Sequence, residues 1–350
     1  ERLRALAPWL TEEQVRALAR EKGAPLTRSD IPLLDEAMEL LGPDPKAASR
    51  ISAQDAARAE EEQFARDTLA QAGIGSGIVT AQMLVDNLSG DAAEPISHRA
   101  ASDREWTYGH IVVDEAQELT DMDWRMLIRR CPSRSFTIVG DVAQTAALGG
   151  TRSWPHTMNR LFGERNWTLN ELTINYRNPK EVSELASRFA RNEGLYISTV
   201  NAVRTIPDSV RRVSVEDRPA LLDEVAATTV ELTREFISDD GTGRIAVIAP
   251  DDMLGQLRPH IDGVLRRALP AAEYERLSRQ GEWERQVNVC DTEMVKGLEF
   301  DAVIVVEPGQ VEQQAPSRLV AAADLYVAMT RPTQRLFIVR TREDENNLVL

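Results

Sequence analysis

The sequence is poor in cysteine and has no long apolar run. Its two cysteines, Cys131 and Cys290, lie far apart and without the close spacing of a metal site, which argues against a disulfide scaffold and predicts a reducing, cytoplasmic compartment. No apolar run approaches the roughly 20 residues that a membrane span needs, so we expect no membrane partner. The opening residues, ERLRALAPWL, lack the apolar core of a signal peptide.

Lysine is also scarce, and acidic residues outnumber basic ones. The formal net charge is −15, and only Lys22, Lys46, Lys180 and Lys296 are lysines, so arginine supplies nearly all the positive charge. Domains that bind nucleic acids usually have a basic balance or a basic face. The acidity therefore disfavours tight, sequence-independent binding to phosphate backbones unless arginines cluster locally, and it suits docking onto a basic protein surface.

The first third of the chain is expected to be helical and charged. TRSDIPLLDEAMELLG, at 27–42, has the capping residues Ser29 and Asp30 and ends at Gly42, which predicts a helix. Residues 47–73 predict a long solvated helix, or a helix that faces a partner. Residues 90–106 are polar and without pattern, which is typical of a loop or of the base of an insertion.

From residue 108 the pattern changes to that of an α/β protein. HIVVD (110–114), TDMDWRMLIRR (120–130) and SFTIVGD (135–141) predict a strand, a helix and a strand, and such a unit implies a parallel sheet. A second group of strands is predicted further on, with helices around 251–268 and 319–330. Its members are RIAVIAP (244–250), QVNVC (286–290), AVIVVE (302–307) and RLFIV (335–339). We therefore expect two parallel sheets with a join near 171–178.

Polar groups follow the first two strands. Asp114 and Glu115 come directly after the first strand, and VGDVAQ places Gln144 after the second. Catalytic groups collect beyond the carboxyl ends of strands in open parallel sheets. There one carboxylate can hold Mg²⁺, and the other can orient an attacking water and accept its proton. A glutamine can contact a terminal phosphate or place a water.

Three further stretches belong to the same pattern. LTINYRNP (172–179) contains Tyr176 and Arg177, DTEMVKGLEFDAVIVV (291–306) contains Glu299, and LYVAMTRPTQRLFIV (325–339) contains Arg331. Each stretch alone could be an ordinary surface ion pair, a solvated acid or a helix cap. Their common order along one chain makes that explanation inadequate for the whole set.

In these motifs the chain resembles superfamily 1 helicases of the UvrD/Rep type. DEAQ is similar to motif II, GDVAQ to motif III, NYR to motif IV, VKGLEFD to motif V and LYVAMTRPTQRL to motif VI. Within that group the chain most resembles HelD-like ATPases associated with RNA polymerase, in the segments DIPLLDEAMELLG, RSFTIVGDVAQTAALGGTRSW and LTINYRNPKEV. The resemblance implies an α/β fold of two RecA-like parallel-sheet domains, the first incomplete. Residues 108–172 would form the first domain and 173–350 the second, after a helical segment and insertion remnant at 1–107.

The resemblance also implies roles for individual residues, with ATP and Mg²⁺ as cofactors. Asp114 would bind Mg²⁺, Glu115 would activate water, and Gln144 would contact the γ-phosphate. Arg177 and Arg331 would act as arginine fingers, which are worth about 10³–10⁵ in rate. The remaining nucleotide contacts would come from three residues of motifs IV and V: Tyr176 on the adenine ring, Glu299 on the ribose, and Gly297.

The sequence departs from the family in two ways. It has no GxxxxGK[ST] phosphate loop, since no lysine is followed by Ser or Thr, and GIGSG (73–77) and GTGR (241–244) are interpreted as turns. We therefore expect a C-terminal part of a longer ATPase that is inactive alone. The aromatic residues that stack on single-stranded DNA after motif III are also missing, and Met294 stands where motif V usually has His. The late aromatic Trp154 is interpreted as a packing residue.

These departures favour a motor that acts on RNA polymerase and its nucleic acid, binding DNA or RNA weakly or within the complex. Two alternatives stay open: a UvrD-type DNA helicase in repair, and a non-catalytic module that binds RNA polymerase. Loss of ATP turnover on substituting Glu115 by Gln would separate a catalyst from a module. Strand displacement on bare forked DNA would favour the repair helicase.

Overall fold

A computed structural model describes residues 2–21, 23–42, 106–145, 147, 149–238, 240–278 and 285–345, with the single positions 60, 63, 64, 67 and 103. Two compact units account for these residues. Unit 1 comprises Glu1–Ile111 and Met122–Ser135, and unit 2 comprises Val112–Asp121 and Phe136–Leu350. No helix in the described ranges is long and apolar enough to span a membrane.

Unit 1 is built from helices. Numbered in chain order, the described helices here are α1 (Arg2–Leu6), α2 (Glu12–Ala17), α3 (Asp30–Leu41) and most of α4 (Asp121–Arg130). Helix α3 ends at Gly42, which has a φ of 73°, as predicted, but the side chain of Ser29 makes no capping hydrogen bond at its start. Arg129 pairs with Asp35 and Glu36, and these ion pairs join α4 to α3. The rest of the N-terminal expectation, including the helix at 47–73 and the loop at 90–106, lies largely outside the described residues.

Unit 2 contains a five-stranded parallel sheet. Its strands are β5 (Val210–Val215), β6 (Ile245–Ile248), β7 (Val287–Cys290), β8 (Phe300–Val306) and β9 (Pro332–Thr341), in the order β5-β9-β8-β6-β7. Strands β6 and β8 and the centre of β9 (336–339) are almost continuous apolar runs, which is typical of parallel strands with both faces buried. The prediction of an α/β fold with a parallel sheet is confirmed, and the four strands expected in this region are β6 to β9.

Helices cover both faces of this sheet. Most of the helical residues in its two cores come from α6 (Lys180–Asn192), α7 (Arg218–Phe236), α8 (Asp251–Ala268) and α11 (Arg318–Thr330), and the other described helices after β2 are α5 (Trp154–Phe162), α9 (Ala271–Ser278), α10 (Pro308–Gln314) and α12 (Arg342–Glu345). Alternate residues of β8 enter two separate cores: Val303 and Val305 pack with α6 and α11, while Ala302 and Ile304 pack with α7 and α8. The sheet is therefore the middle layer of three.

Two shorter sheets carry the motifs that precede this one. Strands β1 (Ile111–Val113) and β2 (Phe136–Ile138) form one pair, and β3 (Ile174–Pro179) and β4 (Asn201–Arg204) form a parallel pair. Short 3₁₀ turns follow β1 at Ala116–Glu118 and β2 at Val142–Gln144. The segments that carry motifs II to VI therefore all belong to unit 2.

Candidate nucleotide site

The first strand delivers two exposed carboxylates at its end. The backbone N–H of Val139 donates to the carbonyl of Val113 at 2.8 Å, so the two strand ends lie side by side. Glu115 follows in the left-handed region, with a φ of 50° and a ψ of 37°, which is uncommon for a residue with a side chain. Its backbone N–H donates to Oδ1 of Asp114 at 2.9 Å. This sharp turn directs the chain away from β1 immediately after the acidic pair.

Gln117 is a functional candidate that the sequence reasoning missed. Its side chain is 1% exposed, its amide Nε2 donates to Oε2 of Glu115 at 2.7 Å, and its Oε1 accepts the backbone N–H of Asp141 at 3.1 Å. One amide thus ties the motif II carboxylate to the loop that carries motif III. The signal in the sequence was the fourth letter of DEAQ, but its partner could not be deduced before the strand ends were placed together.

Gly140 allows this close approach. A Cβ atom at position 140 would lie 2.4 Å from Oε1 of Gln117 and 3.1 Å from the Trp154 ring. Real Cβ contacts are not that short, so a larger residue here would displace the Gln117 amide. The contact also shows the half-buried Trp154 packing against the backbone after β2, which agrees with its interpretation as a packing residue.

Motif III forms a short capped turn. The side chain of Asp141 accepts the backbone N–H of Ala143 at 3.0 Å, and its other oxygen accepts Nε2 of Gln144 at 2.9 Å. The Gln144 amide is therefore oriented, with its oxygen directed to a different partner. That partner is Arg331, whose Nη2 donates to Oε1 of Gln144 at 2.8 Å.

Arg331 is held firmly at the end of α11. It is 3% exposed, and its Nε donates to the carbonyl of Val327 at 3.1 Å while Nη1 reaches the carbonyl of Leu298 at 3.5 Å. Motif III and motif VI are therefore bonded to each other directly, across 187 residues of sequence. This hydrogen bond is the main geometric link among the predicted site residues.

The electrostatic surroundings of Arg331 bring further predicted residues together. Burial lowers the pKa of Arg331, and the nearby Arg177 guanidinium lowers it further, while Glu115, Glu299 and Asp141 oppose that effect. Acids from motif II, motif III and motif V thus act on one buried guanidinium. Such a mixture of close opposite charges is a common property of catalytic sites.

Arg177 and Glu299 form an ion pair. Nη2 of Arg177 lies 2.5 Å from Oε1 of Glu299, and both side chains are about half exposed. Behind them the buried Asn178 donates to the carbonyls of Thr330 and Pro332, both at 2.8 Å, and so fixes motif IV against motif VI. Thus a proposed arginine finger and the proposed ribose ligand are bonded to each other.

Among the described residues, Tyr176, Gly297 and Met294 make no side-chain hydrogen bond or ion pair with these groups. Tyr176 precedes Arg177 and is 68% exposed, so its ring is available to a planar ligand. Gly297 lies two residues before Glu299 with a φ of 72°. Met294 is 43% exposed. In the region after motif III, Ala146 and Leu148 lie outside the described residues.

The side chains of this candidate site suit a phosphate group that carries a bound metal ion. Mg²⁺ is held in proteins by one or two carboxylates, with waters and phosphate oxygens as its other ligands. Asp114 offers an exposed carboxylate of this kind at the strand end. In the described part of the chain no group of three or more His, Cys, Asp or Glu side chains forms a ready-made metal cage. The single carboxylate fits a magnesium ion that is bound chiefly by a nucleotide, and it does not fit a structural metal.

Comparison with known proteins leaves the family open. No family model matches the chain, and no curated protein matches it. Among the solved structures that are similar in part are the following two. The C-terminal domain of a possible DNA helicase from Lactobacillus plantarum WCFS1 has 20% identity and a TM-score of 0.31, over 48% of this chain and 88% of that one. Arterivirus nonstructural protein 10, a helicase in complex with DNA, has 15% identity and a TM-score of 0.34, over 67% of this chain and 40% of that one.

Proposed function

We propose that this chain is part of an ATP-driven, helicase-like motor. The observation that carries the proposal is the hydrogen bond from Arg331 to Gln144, made within the field of Glu115 and Asp141. Strand-end acids, a glutamine and a buried arginine are what phosphoryl transfer to water requires, because its transition state accumulates charge on the phosphate oxygens.

Each residue has a distinct task in this proposal. Glu115 accepts the proton of the attacking water, and Gln117 holds its carboxylate at the strand end. Arg331 and Arg177 stabilise the charge that develops on the transferring group. Gln144 releases Arg331 and turns its Nε2 from Asp141 to donate to the terminal phosphate, so that motif VI responds to the presence of that phosphate.

The cofactors are part of the proposal. Asp114 would hold Mg²⁺, and Tyr176, Gly297 and Glu299 would contact the nucleoside part of ATP. Bound Mg²⁺ supplies neutralisation of phosphate charge. The sequence has no GxxxxGK[ST] loop, so we place the cradle for the β- and γ-phosphates on a segment outside these 350 residues.

The test is a substitution of Glu115 in the polypeptide that joins this chain to its phosphate loop. Glu115→Gln should lower kcat for ATP at least 100-fold, because the amide cannot accept the proton, a contribution of general bases that is typically 10²–10⁴-fold. Glu171→Gln, on an exposed position with the same change of charge, should leave kcat within about twofold. Equal turnover in the two variants contradicts the catalytic assignment and favours a binding module.

We propose RNA polymerase as the partner of this motor. The support is the resemblance of the quoted motifs to HelD-like proteins, together with the net charge of −15 and the loss of base-stacking residues. Purified bacterial core RNA polymerase should retain the protein in size-exclusion chromatography and change its ATP turnover. Unwinding of bare forked DNA without any polymerase effect would instead identify a repair helicase.

A further inference from the structure

A basic groove lies on unit 2 beside α6 and the start of β4. It has a volume of about 320 Å³. Its polar and basic lining consists of Lys180, Ser183, Ser187, Arg188, Arg191 and Asn201. None of these residues belongs to the proposed nucleotide site. We call this surface the α6 groove.

The cations of the α6 groove are poorly neutralised. Glu184 is the one acid of its lining, and it lies 3.9 Å from Lys180. Arg188 and Arg191 have no carboxylate partner within 4.0 Å in the described part of the chain. Arg177, Arg318 and Arg335, in contrast, each pair with a glutamate. In a chain with a net charge of −15, three cations with one acid are a strong local departure from the average.

Further arginines add to this positive region. Arg212 lies on the edge strand β5, and its pKa is lowered by burial and by the charges of Arg188 and Arg340. Asp344 offsets part of the Arg340 charge, since Arg340 lowers the pKa of that carboxyl. Arg188 and Arg212 thus repel each other in the absence of an anion, and an anion bound at the groove would relieve that repulsion.

The fold of α6 explains why these groups share one face. Val182, Leu185, Ala186 and Phe189 are buried in the core beneath the sheet. Lys180, Arg188 and Arg191 are spaced at i, i+8 and i+11, so they recur on the side of the helix away from that core. From Lys180 to Arg191 the helix rises about 16 Å at ~1.5 Å per residue. A strand of duplex DNA carries one phosphate per ~3.4 Å of axis, so this stretch can face several phosphates.

We propose that the α6 groove binds the phosphodiester backbone of a nucleic acid without regard to sequence. Hydroxyl and amide side chains such as Ser183, Ser187 and Asn201 are frequent partners of phosphate oxygens, alongside Arg and Lys. No aromatic residue lines the groove, so bases do not stack in it. Its apolar lining is limited to Val200 and Ala202, which gives no surface for insertion into a lipid layer. The row of cations is longer than a single phosphate ion, so it suits a chain of phosphates better than one free phosphate.

This inference does not depend on ATP turnover, and binding is measured with the 350-residue chain and no nucleotide. The probe is a fluorescein-labelled, mixed-sequence, single-stranded DNA of about 20 nucleotides, followed by fluorescence anisotropy at 50 mM salt. Arg188→Glu with Arg191→Glu should weaken binding at least 10-fold. It should also reduce the steepness of log Kd against log salt by about 1.4, because each phosphate contact on a single strand contributes ~0.7.

The matched control is Arg266→Glu with Arg267→Glu. These two exposed arginines stand in the last turn of α8, as Arg191 stands in the last turn of α6, and the double variant has the same net charge. It should change Kd less than threefold. Arg188→Lys with Arg191→Lys should retain binding, and Arg188→Gln with Arg191→Gln replaces the glutamate variant if circular dichroism shows that the latter is unfolded.

Several outcomes overturn the proposal. An equal loss of affinity in the groove and control variants shows a general charge effect. Binding of inorganic polyphosphate, or of vesicles containing phosphatidylserine, without binding of DNA assigns the groove to a free anion or to lipid. A wild-type chain that does not bind DNA at 50 mM salt also refutes it. Loss of ATP turnover in Glu115→Gln has no bearing on any of these results.

Discussion

At the residue scale, Gln117 joins the two strand ends of the candidate site. Its side chain donates to the carboxylate of Glu115 and accepts from the backbone of Asp141, and the Gln117 side chain itself is buried. Glu115 itself has a left-handed backbone, with a φ of 50°. A single amide therefore determines where the proposed base lies relative to motif III.

We predict that Gln117→Ala lowers the free energy of unfolding by about 1–3 kcal/mol. The Asp141 N–H would lose its acceptor in a buried position, and a buried donor without an acceptor costs that amount. Gln256→Ala, on an exposed position of α8, should change stability by less than about 0.5 kcal/mol. Urea denaturation followed by circular dichroism measures both. If the two variants are equally stable, the bridging role of Gln117 is wrong.

Gly140 provides a second prediction on the same contact. Gly140→Ala should destabilise the protein because the new methyl group would lie 2.4 Å from Oε1 of Gln117. In the double variant Gly140→Ala with Gln117→Ala, the methyl group gains space, so the combined loss should be smaller than the sum of the single losses. A double-mutant cycle in urea measures this coupling. Strict additivity would show that the two positions do not contact each other.

At the element scale, the carboxyl end of β8 contains a buried acid. Glu307 is fully buried with a φ of 48°, and its carboxylate accepts from Nε2 of Gln310 at 2.7 Å and from the backbone N–H and hydroxyl of Thr341. These bonds connect the end of β9 to the start of α10. Burial raises the pKa of Glu307, the bonds from Thr341 lower it, and Asp344 raises it.

We predict that Glu307 makes the protein less stable as pH rises from about 4.5. Its folded-state pKa lies above the ordinary value of 4.5, so the unfolded chain loses its proton first and the folded state binds more protons. Stability therefore falls from pH 4.5 until the folded-state carboxyl has also ionised. The variant Glu307→Gln should lack this decrease in stability with pH, whereas the exposed control Glu171→Gln should still show it. Urea midpoints between pH 4 and pH 8 measure the difference, and parallel curves for Glu307→Gln and wild type contradict it.

The N-terminal cap of α7 predicts a change in stability of the size that is usual for helix caps. Asp217 accepts the backbone N–H of Ala220 at 2.9 Å and so satisfies one of the free donors of the first turn. Asp217→Ala should lower the free energy of unfolding by about 0.5–2 kcal/mol. Asp217→Asn keeps the oxygen acceptor and should lose little. A similar loss in both variants, measured in urea, would show that the charge of Asp217 matters and not its capping bond.

The elements predicted from the sequence are those whose residues form continuous apolar runs or the helical stretches next to such runs. The runs around β6, β8 and β9 and the helices α3, α4, α8 and α11 belong to this group. Helix α7 was missed because its interior is rich in threonine, which favours strands. In the fold Thr229 and Thr233 are buried, and their hydroxyls donate to the carbonyls four residues earlier, at 2.7 Å each. Strand β5 was missed because its two consecutive arginines, Arg211 and Arg212, interrupt the apolar pattern of an edge strand.

General sequence rules could predict only the part of the candidate site that follows β1 and β2. Asp114 and Gln144 follow β1 and β2, as the rule on carboxyl ends of parallel strands suggests. Glu299 and Arg331 immediately precede β8 and β9, at the amino ends of their strands, and that rule would not have found them. Only the motif resemblance pointed to them, and their roles stay predictions. Gln117 and Asp141 became visible through contacts between segments distant in sequence.

At the scale of the whole molecule, net charge is a poor guide to local chemistry. The total of −15 favours a protein partner, yet the α6 groove gathers cations on one face. Repulsion between the acidic surface and a nucleic acid is screened beyond about 8–10 Å at ordinary salt. A compact group of arginines therefore still attracts phosphates that come close to it. Weak binding to nucleic acid, restricted to one surface, is compatible with both facts.

The two cysteines should report on the two units separately. Cys131, in unit 1, and Cys290, in unit 2, are both buried and free. Burial raises the pKa of Cys290 to about 12, and Asp291 adds to this, so almost no thiolate forms at neutral pH. We predict that iodoacetamide labels each thiol at least 100-fold more slowly in the native protein than in 6 M guanidinium, as followed by peptide mass spectrometry. Rapid native labelling of Cys290 would contradict its buried position. The variant Cys131→Ser allows that rate to be measured alone.

The mutual bond of Gln144 and Arg331 has a consequence for selectivity. A molecule that enters between them must offer an acceptor to the guanidinium and a donor to Oε1 of Gln144, because the amide nitrogen already donates to Asp141. A lone halide satisfies only the guanidinium and is therefore discriminated against. A ligand that carries acceptors alone, such as a phosphate group, also requires the amide to turn its Nε2 from Asp141 towards the ligand.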